Sequence, residues 1–382
     1  MNKEASEKNR KKHPILRILK GILFFFAALI VLAALGIIVL TVLEYRPQAT
    51  EPAEVGHFAV TERSLSVGDG ITVATWNLGY GALGDNADFF MDGGTMVNTA
   101  DEARLSDNMA GIREGLGEIS PDIVFLQEVD RDSTRSHGMD EMRYLMGSSG
   151  EPSFATGMDY AFAYNFRAPF VPFPIPPIGR VNSGIVTFSV YPITEAARIQ
   201  LPCPFSWPIR IANLKRCLLV SRMPIEGSGR ELVLVNLHLE AYDDGEGKIE
   251  QTKQLATLLE EEAAAGNYVI AGGDFNQTFT SVDRSAYPTL PGTWASGTID
   301  TEAFSEHFQF CMDNRAPSGR SLDRPLDEAP DKSSTGFQYY LIDGFIVSEG
   351  LTVLDYGTRD LGFVCSDHNP VALIVRIEDP VR

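Results

Sequence analysis

Twice along this chain, a β-rich run with a polar tip is followed by an amphipathic helical pattern and then by a second apolar run ending in an acid. The first unit starts at Ile71-Thr-Val-Ala-Thr-Trp-Asn77. It continues through apolar residues at Leu105, Met109, Ile112, Leu116 and Ile119 to Ile123-Val-Phe-Leu-Gln-Glu128. The second runs from Glu231-Leu-Val-Leu-Val-Asn-Leu-His-Leu239, through a Leu-, Glu- and Ala-rich stretch over about 247–264, to Tyr268-Val-Ile-Ala-Gly-Gly-Asp-Phe-Asn276. The 3.6-residue period predicts a helix over 104–119, stopped by Ser120-Pro121-Asp122, and Gly266 stops the other. A sheet face must be buried against another layer. Two such units therefore predict two facing sheets, helices outside, and polar strand ends gathered at one rim.

Those ends carry the chemistry. Gly272 and Gly273 let the backbone turn tightly or approach a ligand closely. Asp274 and Asn276 are two residues apart, so in extended backbone their side chains point the same way. A carboxylate beside an amide grips a water, a metal or a phosphate. The same residue types are ordinary turn formers, so this stretch alone leaves both readings open. Glu128 follows an apolar run and is expensive to bury unless it is paired or metal-bound. Six clusters recur at strand ends or adjacent turns: Asn77, Gln127-Glu128, Asn236/His238, Asp274/Asn276, Asp343 and Asp367-His368. Singly, Asn77 reads as a turn residue, His238 as a hydrogen-bonded core histidine and Asp343 as a surface strand residue. Together they point to a site. Further strands are expected over 181–190, 217–221, 338–347, 353–357 and 371–376, with loops over 82–103 and 280–335.

Thr75-Trp-Asn-Leu78, Leu126-Gln-Glu-Val129, Asn236-Leu-His-Leu239, Gly273-Asp-Phe-Asn276, Ile342-Asp-Gly-Phe345 and Ser366-Asp-His-Asn-Pro370 resemble the ordered signatures of the endonuclease/exonuclease/phosphatase superfamily. The resemblance covers about residues 70–378. It implies a four-layer α/β/β/α sandwich and hydrolysis of phosphodiesters or phosphomonoesters with a divalent cation, usually magnesium, with manganese as a substitute. Magnesium takes oxygen ligands and keeps several waters, so one or two carboxylates suffice. By resemblance Glu128, with Asn77 nearby and Asp367, holds the metal. Asp274 orients or deprotonates the attacking water, and Asn276 holds the phosphate or that water. His368, oriented by Asp343, is general base or phosphate-oxygen donor, and His238 donates to a phosphoryl oxygen or the leaving group. A histidine where His238 stands sets the chain apart from abasic-site-type nucleases.

The N-terminus imposes a separate constraint. Residues 1–20 carry seven Lys and Arg against Glu4 and Glu7, and Gly21–Leu43 then runs 23 residues without a charge. About 20 apolar residues cross a bilayer, and basic flanks stay in the cytoplasm. The run exceeds the apolar core of a cleaved signal peptide, about 7–15 residues, and reads as an uncleaved anchor. The expected organisation is a basic cytoplasmic tail (1–20), a transmembrane helix (21–43), a linker (44–68) and an extracytoplasmic catalytic domain (69–382). The net charge of −19 argues against an extended duplex-DNA surface, though not against a local basic pocket. One such excess lies over 161–222, which holds seven Arg and Lys against the single acid Glu195. Arg167, Arg180 and Arg210, with Lys215 and Arg216, are candidates there to receive a substrate phosphate. The Pro-rich, aromatic run 168–178 reads as a rigid surface loop or as a lip facing substrate or membrane. These features favour a phospholipid or similar small phosphoester as substrate, with a surface nuclease as the alternative. The four cysteines show no CxxC spacing, which argues against a zinc or thioredoxin-type motif, and no stretch points to a protein partner.

Overall fold

The structure is a computed structural model describing residues 3–58, 63–147, 153–243 and 245–379. Helix α1 (Lys3–Val42) contains a stretch, Leu16–Val42, with a mean hydropathy of 3.2 and nothing buried against the domain. Those 27 residues are long and apolar enough to span a membrane. The side chains of residues 1–15, most of the basic tail, lie outside the described ones.

Beyond α1 the two expected units form as read. β1 (Gly70–Asn77), α2 (Glu102–Ile119) and β2 (Ile123–Asp130) make the first, with β1 and β2 parallel. Asp101 caps α2 by accepting from the Arg104 backbone N–H, and Ser120 ends it in a left-handed conformation. A hairpin follows, β3 (Asp159–Val171) and β4 (Gly179–Ser189). The chain then crosses to the second sheet with β5 (Glu195–Gln200), β6 (Cys217–Glu226), β7 (Arg230–His238), α3 (Glu246–Ala264), β8 (Tyr268–Asp274), β9 (Phe308–Cys311) and β10 (Asp343–Ser348). β11 (Leu351–Thr358) and β12 (Val371–Ile377) return to the first.

The first sheet is ordered β11-β12-β1-β2-β4-β3 and the second β5-β6-β7-β8-β10-β9, each extended by short strands at an edge. Both are mixed. The β1–β2 and β7–β8 pairs are parallel, as strands joined by a crossover helix must be. Ile71, Val73, Ile123 and Phe125 meet Leu232, Leu234, Ile270 and Phe345 between the sheets. The alternate residues face outward. Trp76, Val124 and Leu126 pack under Met109, Ile112 and Leu116 of α2, and Val233, Val235 and Val269 under Leu255 and Leu259 of α3. The result is the four-layer α/β/β/α sandwich.

Within 44–68, expected as a linker, three described segments pair with the sheets instead. Thr50–Pro52 pairs with β5, Glu54–Gly56 with β3, and Leu65–Ser66 with β6. Pro and Glu made this stretch read as irregular, but both suit short edge strands, where one row of backbone groups faces solvent. The same physics shortens the expected loop 168–178. β3 runs on to Val171 through Pro169, at a place where Glu54–Gly56 no longer pairs and β3 is an edge.

Candidate active site

Register assembles the site. In the second sheet His238 lies opposite Asp274 in the parallel β7–β8 pair, and Asp274 lies opposite Asp343 in the antiparallel β8–β10 pair. In the first sheet Asn77 lies opposite Gln127. The sheets are clasped just behind this rim. Gln127 Nε2 donates to Asn236 Oδ1 at 2.8 Å, and Asn236 Nδ2 donates to the Val186 carbonyl at 2.9 Å. Gln127 and Asn236 thus serve each other rather than a substrate, as buried amides must.

Two backbone devices aim the key side chains. β2 changes register with β4 between Leu126 and Val129, and within that bulge Glu128 adopts a left-handed conformation (φ 52). A bulge re-aims a side chain, and here it turns Glu128 out of the strand toward the cleft. In β8, Gly273 sits at φ 147, and a Cβ there would lie 1.9 Å from the Leu237 carbonyl oxygen. Only glycine lets β7 and β8 approach this closely at the catalytic end.

The polar side chains then interlock. His368 Nδ1 meets Asp343 Oδ2 at 2.8 Å, and His368 Nε2 lies 3.7 Å from Asp274 Oδ2. His238 Nε2 approaches the same Asp274 oxygen from the other side at 3.3 Å. Asn77 Nδ2 donates to Asp274 Oδ2 at 3.0 Å and to Glu128 Oε1 at 3.3 Å. Asn276 donates its backbone N–H to Asp274 Oδ1 at 2.9 Å and its Nδ2 to the Leu239 carbonyl at 2.9 Å. The loop carrying Asp367 and His368 is pinned to β1. Ser366 Oγ donates to the Asn77 carbonyl at 2.7 Å, and Trp76 Nε1 donates to the His368 carbonyl at 2.8 Å.

Charge in this cluster is strongly perturbed. Burial pushes Asp274 up to about 6; Asp343 adds to this, and His368 relieves part of it. Burial alone would depress His368, but Asp343, Asp274 and Asp367 outweigh it and hold the imidazole well above its ordinary value. His238 goes the other way. Burial, with Arg216 and His368 nearby, keeps it well below and therefore neutral. The site thus holds an acid poised near neutrality between one charged and one uncharged imidazole.

A family model for the endonuclease/exonuclease/phosphatase family matches residues 74–368. The chain belongs to that family. Members are hydrolases that act on phosphoester bonds. No curated protein matches the sequence. Among solved structures, an endonuclease/exonuclease/phosphatase from Beutenbergia cavernae is 19% identical, with a TM-score of 0.51 over 81% of this chain and 72% of that one. At that identity the likeness is one of fold. Truncated Caenorhabditis elegans TDP2 (16% identical, TM-score 0.47, covering 80% of this chain and 97% of that one) and the human Nocturnin catalytic domain with bound sulfate (16%, 0.46, covering 85% and 98%) are also similar.

Enzymes of this family use divalent metal ions, and the donor set here fits one. Burial, partly offset by His368 and Arg320 and reinforced by Glu128, holds Asp367 up at about 7. Part-buried Glu128 and buried Asp367 offer oxygen donors of the kind that suit a hard divalent cation. Asn77, expected among the ligands, is placed differently. Its Oδ1 accepts from the Gly79 N–H at 3.0 Å, and its Nδ2 is turned to Asp274 and Glu128. Asp274, Asp343 and His368 also have ligand atoms within 4.8 Å of one another. In that trio His368 Nδ1 is already bonded to Asp343.

The sequence-predicted catalytic residues His238, Asp274, Asn276 and His368 line one cleft with Glu128 and Asp367. Asp343 stands behind it. Of the candidate phosphate-binding residues, Arg167, Arg180 and Arg210 do not line that cleft. Arg180 pairs with Asp132, Arg210 pairs with Glu44, and the Arg167 guanidinium lies over Tyr164 and Tyr45. Their positive charge is taken up by acids and rings from elsewhere in the chain. The cleft is instead lined by Arg135, Arg216 and Arg320. Arg135 is bound by Asp130 at 2.9–3.0 Å through two nitrogens, Arg216 faces Glu240 at 3.3 Å, and Arg320 is held by the carbonyls of Gly84 and Ser321. Trp294 and Tyr242 also line the cleft. Arg216 lies in the basic stretch 161–222 and was expected to meet a phosphate; the other four lie outside the polar strand-end clusters that led from sequence to site.

Proposed function

We propose that this chain is a membrane-anchored phosphoesterase that hydrolyses a phosphodiester or phosphomonoester by in-line attack of water, with a phospholipid or similar small phosphoester as substrate. The reading rests on one observation: Asp274, Asn276, His238 and His368 meet Glu128 and Asp367 in a single cleft. Asp274, poised near 6, takes the proton of the attacking water, since a base works best with a pKa close to the operating pH. His368, held charged by Asp343, places an imidazolium N–H against the phosphoryl oxygens, where charge grows in the transition state. Neutral His238 and the second amide N–H of Asn276 donate to the same group. Glu128 and Asp367 would hold magnesium, or manganese in its place, which would supply Lewis-acid polarisation of the phosphoryl oxygen.

The lipid preference is supported by the acidic bulk of the chain, by α1, and by an apolar wall of Phe166, Val171, Phe173 and Leu214 opposite the polar groups. The basic tail before α1 supports a cytoplasmic N-terminus and an extracytoplasmic domain. Protease added to intact cells should then remove the domain, and full protection would contradict that orientation. The test of function is a substrate panel with magnesium: lipid phosphoesters, inositol phosphates, and single- and double-stranded DNA and RNA. Activity lost in both Asp274→Ala and His368→Ala ties turnover to this site. Robust turnover in both variants would sink the mechanism, and nuclease activity without lipid activity would overturn the substrate reading.

A further inference from the structure

A second cluster of contacts lies at the foot of α1. Trp207 Nε1 donates to Thr41 Oγ1 at 3.2 Å, one residue before the helix ends. Just past the end, Glu44 is buried and accepts from Arg210 Nε at 2.9 Å and from Arg46 Nε at 3.0 Å, with Lys215 Nζ 3.6 Å away. The turn Ile209–Ala212 that carries Arg210 packs on the end of β3, where Ala212 and Leu214 sit against Phe166 and Val171. α1 therefore joins the domain at a fixed place, beside the tip of the β3–β4 hairpin.

Apolar exposure is greatest at that place. Ile175 is 85% exposed, Phe173 71%, Ile209 64% and Trp207 57%, more than any other large apolar side chain among the described residues outside α1. Four such residues on two neighbouring segments make a patch of the kind that marks an interaction surface. The length of α1 says what covers it. Its 22 charge-free residues, Gly21–Val42, make a helix about 33 Å long, against a hydrocarbon layer of about 30 Å. Thr41, in the last turn, falls at the boundary between lipid and water, and the indole bonded to it falls there too. Indole rings favour that layer because one edge is apolar and the other donates a hydrogen bond. The patch is also continuous with the cleft. Phe173 belongs to both, and Val171 and Leu214 line the same cleft as His238 and His368.

We propose that Phe173, Ile175, Trp207 and Ile209 form a lip seated in the interfacial layer of the bilayer that holds α1. The cleft would then receive the phosphoester of a lipid from the adjoining leaflet without that lipid leaving the membrane. This rests on reading α1 as a span and the cleft as a phosphoesterase site. The docking of α1 through Glu44, Arg210 and Trp207 fixes the tilt of the domain and keeps the lip down.

The test uses the full chain in vesicles of phosphatidylcholine and phosphatidylglycerol, with and without lipids brominated high on the acyl chain. Trp76 is buried and Trp294 lies in the cleft, so the fluorescence lost in Trp207→Phe isolates Trp207. Brominated lipid is expected to quench roughly half or more of that signal. A new indole at the hairpin tip, Ile175→Trp in the Trp207→Phe background, should be quenched to a similar extent. Ile175 does not line the cleft, so hydrolysis of soluble bis(nitrophenyl) phosphate should stay within about twofold in that variant and reports the catalytic reading separately. Quenching at both positions supports the lip. Quenching of Trp207 without Ile175→Trp overturns it, because the hairpin then stands clear of the membrane. Quenching at neither position, as a protein partner covering the patch would give, overturns it as well. A chain washed from the vesicles by carbonate overturns the span and the lip together.

Discussion

Replacing Asp343 with asparagine isolates the group that holds His368 charged. Asp343 is buried and its Oδ2 lies 2.8 Å from His368 Nδ1, so the exchange keeps shape and removes one charge-assisted hydrogen bond. Such a bond is worth about 1.5–3 kcal/mol. If it is expressed fully in the transition state, kcat falls about 10- to 150-fold. The same energy corresponds to roughly one to two pKa units on the imidazole. The direction follows from which form Asp343 favours. It raises the His368 pKa, so its loss lets the proton leave at lower pH, and the alkaline limb of the rate profile moves toward acid by about that amount. KM should change little, because Asp343 does not line the cleft. The assay is turnover of bis(nitrophenyl) phosphate at saturating magnesium, followed across both limbs of the pH profile. A general loss of packing would lower kcat without moving the limb. A kcat within about threefold of wild type, with an unmoved limb, would refute the claim that Asp343 sustains a catalytic imidazolium.

Other expectations rest on different parts of the molecule. Glu128→Gln removes one of the two carboxylates assigned to the cation, and titration calorimetry should show magnesium binding weakened by about tenfold or more; unchanged affinity would take Glu128 out of the ligand set. Glu141, behind Asp130, is pushed well above the ordinary carboxylate range by burial and by Asp130, so it binds its proton more tightly folded than unfolded and opposes folding once pH rises above its unfolded value. Glu141→Gln should therefore raise the thermal midpoint by about 2–4 °C near pH 8, with the gain fading toward pH 4, and a midpoint lowered at both ends would count against this. Gly273→Ala, whose Cβ meets the Leu237 carbonyl, should cost about 3 kcal/mol or prevent folding, while Gly70→Ala, in open space, should cost under about 1 kcal/mol in denaturant unfolding.

Much of this protein was written locally. The alternation in Ile71–Asn77 and Leu232–His238 and the 3.6-residue period of α2 specified both strand–helix–strand units, because side-chain period and burial follow directly from backbone geometry. Charge-free length alone marked α1. Asn77, Glu128, His238 and Asp274 were legible because each lies at or near the C-terminal end of a strand, and parallel pairing brings such ends to one rim, whereas Asp343 opens its strand and Asp367 and His368 lie in a loop. Three-dimensional packing decided the rest. The partners of Arg180 and Arg210 are Asp132 and Glu44, 48 and 166 residues away, and no local pattern pairs charges over such distances. Thr50–Pro52 and Glu54–Gly56 became strands only because two sheet edges stood waiting for them. The rotation of Asn77 toward Asp274 was set by the Gly79 N–H, and the rise of His368 by three acids drawn from separate strands and a loop. Sequence determined which residues reach the rim. Only the fold determined which charges meet there, since electrostatic and hydrogen-bond partners are chosen by distance in space rather than along the chain.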